Sequence, residues 1–286
     1  MTPSRNPDPT PLAAPSVRPR WTYAVLILAF MFVLMPFLFW RSTWFGRPLT
    51  EEEIQKSLAD LEHPRKTQHA LSQIADRIVA GDPTAKRWYA QVVKLSTQQV
   101  DEIRITAAWV MGQDNSAAEF HQALLRLLDD PHPLVQRNAA LSLVRFGDST
   151  GRPQMLAMLR PFAVRTPQPG NVAQRLKVGD VVNPGTLLAR IKAGEQETEV
   201  RSQLSGTVER WLSSDGARVS AGDELVLFAP SPEMAWEALR ALYLVGQPAD
   251  LAEIERYARG VPGMPPRVQQ QATLAVRSIR ARHPAQ

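Results

Sequence analysis

Cysteine is absent from the 286 residues of this chain. The absence excludes disulfides, thiolate metal sites and cysteine nucleophiles, and it suits a periplasmic location. The phosphate-binding and nucleophile strings GxGxxG, GxxxxGK[ST] and GxSxG are also missing, and the five histidines form no HExxH-like pattern of metal ligands. We therefore expect no catalytic residue, no metal ligand and no cofactor, and we predict that the chain is not an enzyme.

An excess of positive charge is found only near the N-terminus. The whole chain has a net charge of +5. Residues 1–50 hold five arginines against one acid, which gives +4 and leaves +1 for the rest of the chain. A nucleic-acid-binding surface normally carries a larger basic excess, so we expect no nucleic-acid partner.

The longest uncharged run is WTYAVLILAFMFVLMPFLFW, residues 21–40. Twenty uncharged residues in a helix match the thickness of the hydrocarbon core, and Trp21, Tyr23, Trp40 and Trp44 lie where interfacial aromatics are found. The run predicts a transmembrane helix whose partner is the lipid bilayer. A cleaved signal peptide is the alternative, but the sequence RSTWFGRPLT that follows is a poor cleavage site.

The flanks of this run predict topology. The tail over 1–20 is rich in Pro, Ser and Thr, and we expect it to be disordered. It holds three arginines, whereas two follow the run, which favours a cytoplasmic N-terminus. This orientation predicts a single-pass protein of a bacterial inner membrane with its soluble part in the periplasm.

After residue 50 the pattern is helical and repeats itself. The segments IRITAAWVMG (103–112) and VQRNAALSLV (135–144) share two adjacent alanines and large apolar residues at an offset of 32, and similar segments start at Met234 and Val268. Asp-Pro turns, and the sequence Pro-Ala-Asp at 248–250, precede helical stretches, and we expect Asp129 and Asp130 to end one helix and cap the next. A period of this length with small residues at fixed positions indicates stacked helix pairs.

The segment resembles HEAT repeats of the PBS-lyase HEAT-like kind over residues 51–162 and 232–283. This resemblance implies an α-solenoid whose face binds proteins, and a non-repetitive helical bundle is the alternative. The residues that carry it are Ile103, Arg104, Ala107, Ala108, Met111 and Gly112, with Val135, Arg137, Ala139, Ala140 and Leu143.

Residues 163–230 interrupt the helices with Val, Thr, Gly and turn sequences, which predict strands. The two halves of this segment align with each other. Matching residues are 36 positions apart at first and 37 positions apart from Gly179 and Gly216 onward. We expect each aligned glycine to adopt a positive φ and each aligned valine or leucine to enter a shared core. The aligned pairs are Gly170 with Gly206, Val172 with Val208, Leu176 with Leu212, Gly179 with Gly216, Val182 with Val219, Gly185 with Gly222 and Leu188 with Leu225.

This glycine and valine framework resembles the biotinyl/lipoyl domain and the barrel-sandwich hybrid of membrane-fusion (HlyD-like) proteins. A generic β-sandwich is the alternative. Membrane-fusion proteins usually carry a helical hairpin between the two halves, and the join here, 192–198, is too short for one.

In the carrier families a lysine in this join bears the cofactor. Aligning EVRSQLSGTV with the carrier pattern places Glu195 at the position of that lysine, and Lys192 lies three residues earlier without a flanking Met. We expect Lys192 to be an unmodified surface residue, and a lipoyl or biotinyl carrier that uses Lys192 is the alternative.

Together these observations predict an α+β multidomain chain: a transmembrane helix and an α-solenoid interrupted by an all-β barrel-sandwich hybrid. We expect a non-catalytic, membrane-anchored scaffold or adaptor in an envelope complex, with a transport or a secretion complex as the candidates. Its protein partners would bind the solenoid face and the β module.

Overall fold

The computed structural model describes residues 20–42 and 48–284. The chain divides into two units, Met1–Leu49 and Thr50–Gln286, which are described separately. The tail predicted to be disordered lies outside the described residues, except for Arg20.

The described part of the first unit contains helix α1, Arg20–Ser42, with Pro36 inside it. Large apolar side chains between Trp21 and Phe37 are exposed, among them Phe32 at 82%. Nevertheless, within the described residues no helix combines the length and apolar character needed to cross a bilayer. The predicted transmembrane helix over 21–40 is therefore not confirmed.

The second unit is built mainly from short helices in which α3, α5, α7, α9 and α11 pack successively against one another. The helices between them pack alongside this row, which confirms the predicted helical repeats. Short 3-10 helices precede α4, at Pro83–Trp88, and α10, at Pro248–Asp250. The α-helices are α2 Glu51–Ala59, α3 Pro64–Val79, α4 Tyr89–Leu95, α5 Asp101–Met111, α6 Ala118–Leu127, α7 Pro133–Arg145, α8 Arg152–Ala157, α9 Pro232–Val245, α10 Leu251–Ala258 and α11 Pro266–Arg282.

Side-chain caps fix several helix starts. Thr50 and Glu53 form a capping box at α2, in which each side chain bonds the backbone N–H of the other residue. Asp82 accepts from the N–H of Thr84, and Ser231 accepts from the N–H of Met234. These caps satisfy backbone donors that have no partner inside the helix.

The start of α7 differs from the prediction. His132 rather than Asp129 or Asp130 is the cap, because its ring nitrogen Nδ1 accepts from the N–H of Leu134 at 3.2 Å. Asp130 instead accepts from the N–H of His132 at 2.8 Å and pairs with Arg104 in α5, the helix before α6. The acidic residue therefore joins two repeats, a contact that a local sequence pattern does not show.

Small residues bring α5 and α7 close together. Ala107, Ala108, Ala139 and Ala140 are fully buried. A Cβ on Gly112 at the end of α5 would lie 2.7 Å from the Cβ of Ser142. The close approach predicted from the alanine pairs is thus present, and Gly112 extends it by one turn.

The β module contains two four-stranded sheets, in the orders β1-β8-β6-β3 and β5-β4-β2-β7. Its core lies between the sheets and consists mainly of Val, Leu and Phe228. The strands are β1 Phe162–Arg165, β2 Gly170–Gln174, β3 Val181–Val182, β4 Leu187–Ala193, β5 Gln196–Arg201, β6 Gly206–Trp211, β7 Arg218–Val219 and β8 Glu224–Pro230.

The β module lies in the connection between α8 and α9. Its first and last strands pair with each other, with Phe162 opposite Phe228, so the chain leaves and rejoins the helices at neighbouring points. Helices α8 and α9 contact each other, and Arg152 of α8 forms a 2.8 Å ion pair with Asp250 after α9. The helical packing therefore continues across the insertion.

Candidate functional site

Most aligned residues of the two halves of the β module lie in equivalent environments, but the prediction is wrong for Leu212, which is 39% exposed while Leu176 packs against the core. Gly179 and Gly216 have φ values of 93° and 77°, and Gly185 and Gly222 have φ values of 87° and 86°. These left-handed conformations favour glycine, because a side chain would clash with the backbone. The predicted positive φ is therefore confirmed for two of the three glycine pairs.

The third pair, Gly170 and Gly206, needs glycine for another reason. Neither residue has a positive φ, so that part of the prediction is wrong. A Cβ on Gly170 would lie 2.6 Å from the carbonyl oxygen of Lys192, and one on Gly206 would lie 2.7 Å from that of Ala229. Close approach between strands, rather than turn geometry, excludes a side chain at both positions.

Reciprocal hydrogen bonds interlock the halves. The N–H of Gly179 donates to the carbonyl of Val208 at 2.8 Å, and the N–H of Gly216 donates to the carbonyl of Val172 at 2.7 Å. Val172 and Val208 are both buried in the core. Because each half completes the hydrogen bonding of the other, the duplication forms one domain with approximate twofold symmetry.

The join between the halves is a tight hairpin of β4 and β5. Ala193 pairs with Gln196, which leaves Gly194 and Glu195 as a two-residue turn. Gly194 has a φ of 63°, as the first position of a type II′ turn requires. Glu195 occupies the second turn position, where the alignment with carrier domains expects the modified lysine.

Lys192 lies within β4 rather than in the turn. It is opposite Glu197 on β5 and Asn171 on β2, and its side chain is exposed. The preceding Ile191 is buried, so alternation along the strand places Lys192 on the outer face of the sheet. Among the described residues, Lys192 forms no ion pair.

The other charges on this face are paired. Arg190 contacts Glu197 and Glu199, each at 3.2 Å, and Arg201 contacts Glu199 at 2.6 Å. Hydrogen bonds from Arg201 hold the pKa of the Glu199 carboxyl below its usual range, so this group stays ionised at neutral pH. The face next to Lys192 is therefore a ladder of exposed ion pairs.

The hairpin turn lies at the end of the β module away from the helices. Strand β5 spans six residues, about 20 Å, from the turn to the connection at Ser202–Leu204. Leu204 lines the same cavity as Phe162 and Pro133, at the helical end of the module. The turn therefore lies at the opposite end of β5 from the residues that meet the helices.

Histidine and acidic residues form no metal site in the described part of the chain. His121 contacts Asp148 at 2.7 Å, and His132 contacts Asp101 at 3.2 Å. Each pair joins a helix to a loop or turn of a neighbouring element. These contacts give His121 and His132 a structural role.

A groove that sequence reasoning missed lies where the β module meets α7 and α8. Pro133, Phe162 and Leu204 all line it. These residues are far apart in the sequence, and no local pattern brings them together.

Two family models match parts of the chain. A model for HEAT repeats matches residues 90–175, and a model described as biotin-requiring enzyme matches residues 163–228. Each match covers less than a third of the chain. The helical-repeat and biotin/lipoyl interpretations are confirmed, whereas the likeness to membrane-fusion proteins is not.

Comparison with solved structures adds no further argument. A single-chain, multi-domain long-chain acyl-CoA carboxylase is 24% identical over 36% of this chain and 9% of its own, with a TM-score of 0.24. An engineered protein is 15% identical over 80% of this chain and 78% of its own, with a TM-score of 0.41. Both TM-scores are low, and no curated protein matches the chain. The chain is thus an α+β protein that contains HEAT repeats and a biotin/lipoyl-like domain.

Proposed function

We propose that this chain is a non-catalytic scaffold that binds proteins through its helical repeats and an unmodified β module. Arrays of HEAT repeats offer extended surfaces to partners, and the helical packing of this chain continues on both sides of the β module. The observation that carries the proposal is the β4–β5 turn, which holds Gly194 and Glu195 instead of a lysine. We propose no nucleic-acid partner, because the net charge of the chain after residue 50 is close to zero.

The chemistry of cofactor attachment supports the proposal that the β4–β5 turn is unmodified. A ligase joins the carboxyl group of biotin or lipoate to a lysine amine and must reach that amine in a defined geometry. Glu195 offers a carboxylate at the second turn position, which cannot form this amide. Lys192 is a strand residue between Asn171 and Glu197, three positions from the expected attachment point.

We further propose that residues 21–40 attach the scaffold to a bacterial inner membrane, with the rest of the chain in the periplasm as part of a transport or secretion complex. The uncharged run and the exposed apolar side chains of α1 support membrane association. Alkaline extraction of membranes decides: retention in the pellet supports attachment, and release into the supernatant contradicts it.

The scaffold function is tested by chemical crosslinking of the tagged full chain in cells, followed by purification in detergent and mass spectrometry. We expect a reproducible set of partner proteins that is unchanged by Lys192→Arg, because the amine has no attached group to contribute. Trp109 on α5 is 43% exposed, and Trp109→Glu is expected to reduce the yield of partners bound by the repeats. Recovery of no protein partner would contradict the proposal.

A carrier function is the second candidate. It is favoured by the match to the biotin-requiring enzyme model and by the exposure of Lys192 close to the hairpin turn. In that case Lys192 would bear a biotinyl or lipoyl arm as an amide, and the chain would serve an enzyme. An added mass that disappears in Lys192→Arg would support this candidate.

A further inference from the structure

Two adjoining cavities form one groove at the junction of the β module and the helices. Their volumes are about 520 and 370 Å³, and both are lined by Pro133, Phe162 and Leu204. The larger cavity lies between β1 and β5, and the smaller one continues over α7 and α8 to Met234 of α9. The groove therefore runs from the edge of the β module onto the helical repeats.

The walls of this groove are mostly apolar, with amide groups among them. Phe162, Val164, Val200 and Leu204 form the β-module side. Gln154 of α8 donates through Nε2 to the carbonyl of Leu128 at 3.3 Å, while its buried Oε1 has no hydrogen-bond partner among the described residues. Such a groove suits a ligand that has apolar side chains and N–H donors, as a peptide does.

The strands beside the groove have one unpaired edge each. Strand β1 pairs only with β8, and β5 pairs only with β4 within the described sheets. The free backbone groups of an edge strand can pair with an extended chain from another protein. Strand β5 has six residues, compared with four in β1, and so offers the longer edge.

The charged residues that line the groove favour a ligand with negative charge. Arg137, Arg165 and Arg201 line the groove, against one acid, Glu199. Arg165 and Arg201 are 62% and 52% exposed, and their ion pairs with glutamates are correspondingly weak. An incoming carboxylate can therefore compete for these guanidinium groups.

We propose that the groove binds an extended, apolar peptide segment of a protein partner, which adds to β5 as a further strand and places an acidic residue at Arg201. This proposal rests on the scaffold function above and specifies the kind of partner that the scaffold takes. Alternate side chains of the segment enter the pockets lined by Phe162, Val200 and Leu204, and its backbone pairs with the free edge of β5.

The experiment is a selection of random linear peptides displayed on phage against the full chain in detergent, with removal of phage that bind Leu204→Arg. Synthetic versions of the enriched peptides are then titrated against both proteins. We expect peptides with alternating apolar residues and at least one acid, binding at least tenfold more weakly to Leu204→Arg. A central proline should also weaken binding at least tenfold, because it prevents strand pairing.

Control variants distinguish peptide binding in the groove from non-specific binding and from loss of folding. Leu274→Arg changes a 48% exposed leucine on α11 outside the groove and should bind the peptides as the unaltered chain does. Arg201→Glu alters an exposed side chain, so folding is preserved, and it should weaken binding of acidic peptides, whereas Arg201→Lys retains most of it. The proposal is overturned if no enriched peptide distinguishes Leu204→Arg, or if Arg201→Glu and the central proline have no effect.

Failure of the groove proposal can be distinguished from failure of the scaffold function. If crosslinking recovers partners equally with the unaltered chain and with Leu204→Arg, the groove proposal fails while the scaffold function stands. If the unaltered chain recovers no partner, the scaffold function fails.

Discussion

The helical repeats and the β module reach their structures by different means. In the repeats, small residues let helices approach, and buried ion pairs join successive pairs of helices. Arg104 and Asp130 make two contacts of 2.7 and 3.0 Å and are both buried. In the β module, glycines and apolar residues shape the core, and ion pairs such as Arg190–Glu199 remain on the exposed outer face.

This difference shows where charge contributes to each fold. A buried guanidinium or carboxylate that loses its partner is strongly unfavourable, so the ion pairs of the repeats fix how neighbouring helices are aligned. Exposed pairs on a sheet contribute little. The β module should therefore tolerate charge changes on its outer face that the interior of the repeats does not, which leaves that face free to vary for binding.

The largest expected effect is on the core of the β module. Phe228 is fully buried and stacks on Phe162 with ring centroids 5.4 Å apart. Phe228→Ala should lower the free energy of unfolding of the β module by about 4 kcal/mol, through lost apolar burial and a cavity. Denaturant unfolding of the full chain, followed by circular dichroism at helix-sensitive and strand-sensitive wavelengths, measures this.

If the two regions are stabilised separately, the helical signal should persist when the β signal is lost. Leu274→Ala, at an exposed site, serves as the control. Simultaneous loss of both signals would show that the comparison is mistaken and that the regions unfold together.

Removing a buried carboxylate in the repeats is expected to have the next largest effect. Asp250 is buried and pairs with Arg152 across the insertion. Asp250→Asn should lower the free energy of unfolding by about 3 kcal/mol, because Arg152 keeps its charge without a counterion. Asp129→Asn, at an exposed aspartate one residue before Asp130, should be neutral in the same denaturation experiment, and equal effects would argue against the role of burial.

The close approach of α5 and α7 predicts a smaller, rescuable effect. Gly112→Ala places a methyl group against Ser142 and should lower stability by about 2 kcal/mol. Adding Ser142→Gly removes the clash and should recover part of the loss, which a double-mutant cycle measures as coupling. Additive effects of the two substitutions would mean that the helices do not meet at this point.

The smallest effect tests the symmetry of the β module. Gly185→Ala and Gly222→Ala each put a methyl group on a residue with nearly the same positive φ, 87° and 86°. Each should lower the free energy of unfolding by about 1 kcal/mol. Thermal melts that give clearly unequal losses would contradict the equivalence of the two halves.

Local patterns predicted much of this architecture. The alanine pairs at Ala107 and Ala139 and the glycines at 179, 185, 216 and 222 were informative because their reasons, close packing and left-handed turns, act over short distances. The resemblance to carrier domains put Glu195 at the attachment position, and the structure places Glu195 in the turn.

Contacts between distant residues could not be predicted in this way. Asp130 turns from its helix end towards Arg104, and Asp250 meets Arg152 across 98 residues of sequence. The need for glycine at 170 and 206 arises from neighbouring strands, not from the glycines' own φ. The groove likewise exists only when the β module is placed against α7 and α8.

The most direct test of the account is the intact mass of the full chain purified from its native host, compared with that of Lys192→Arg. The account predicts an unmodified β module, so the two masses should differ only by the replacement of lysine with arginine. An additional biotinyl or lipoyl mass on the unaltered chain that is missing from Lys192→Arg would contradict it and establish the carrier function.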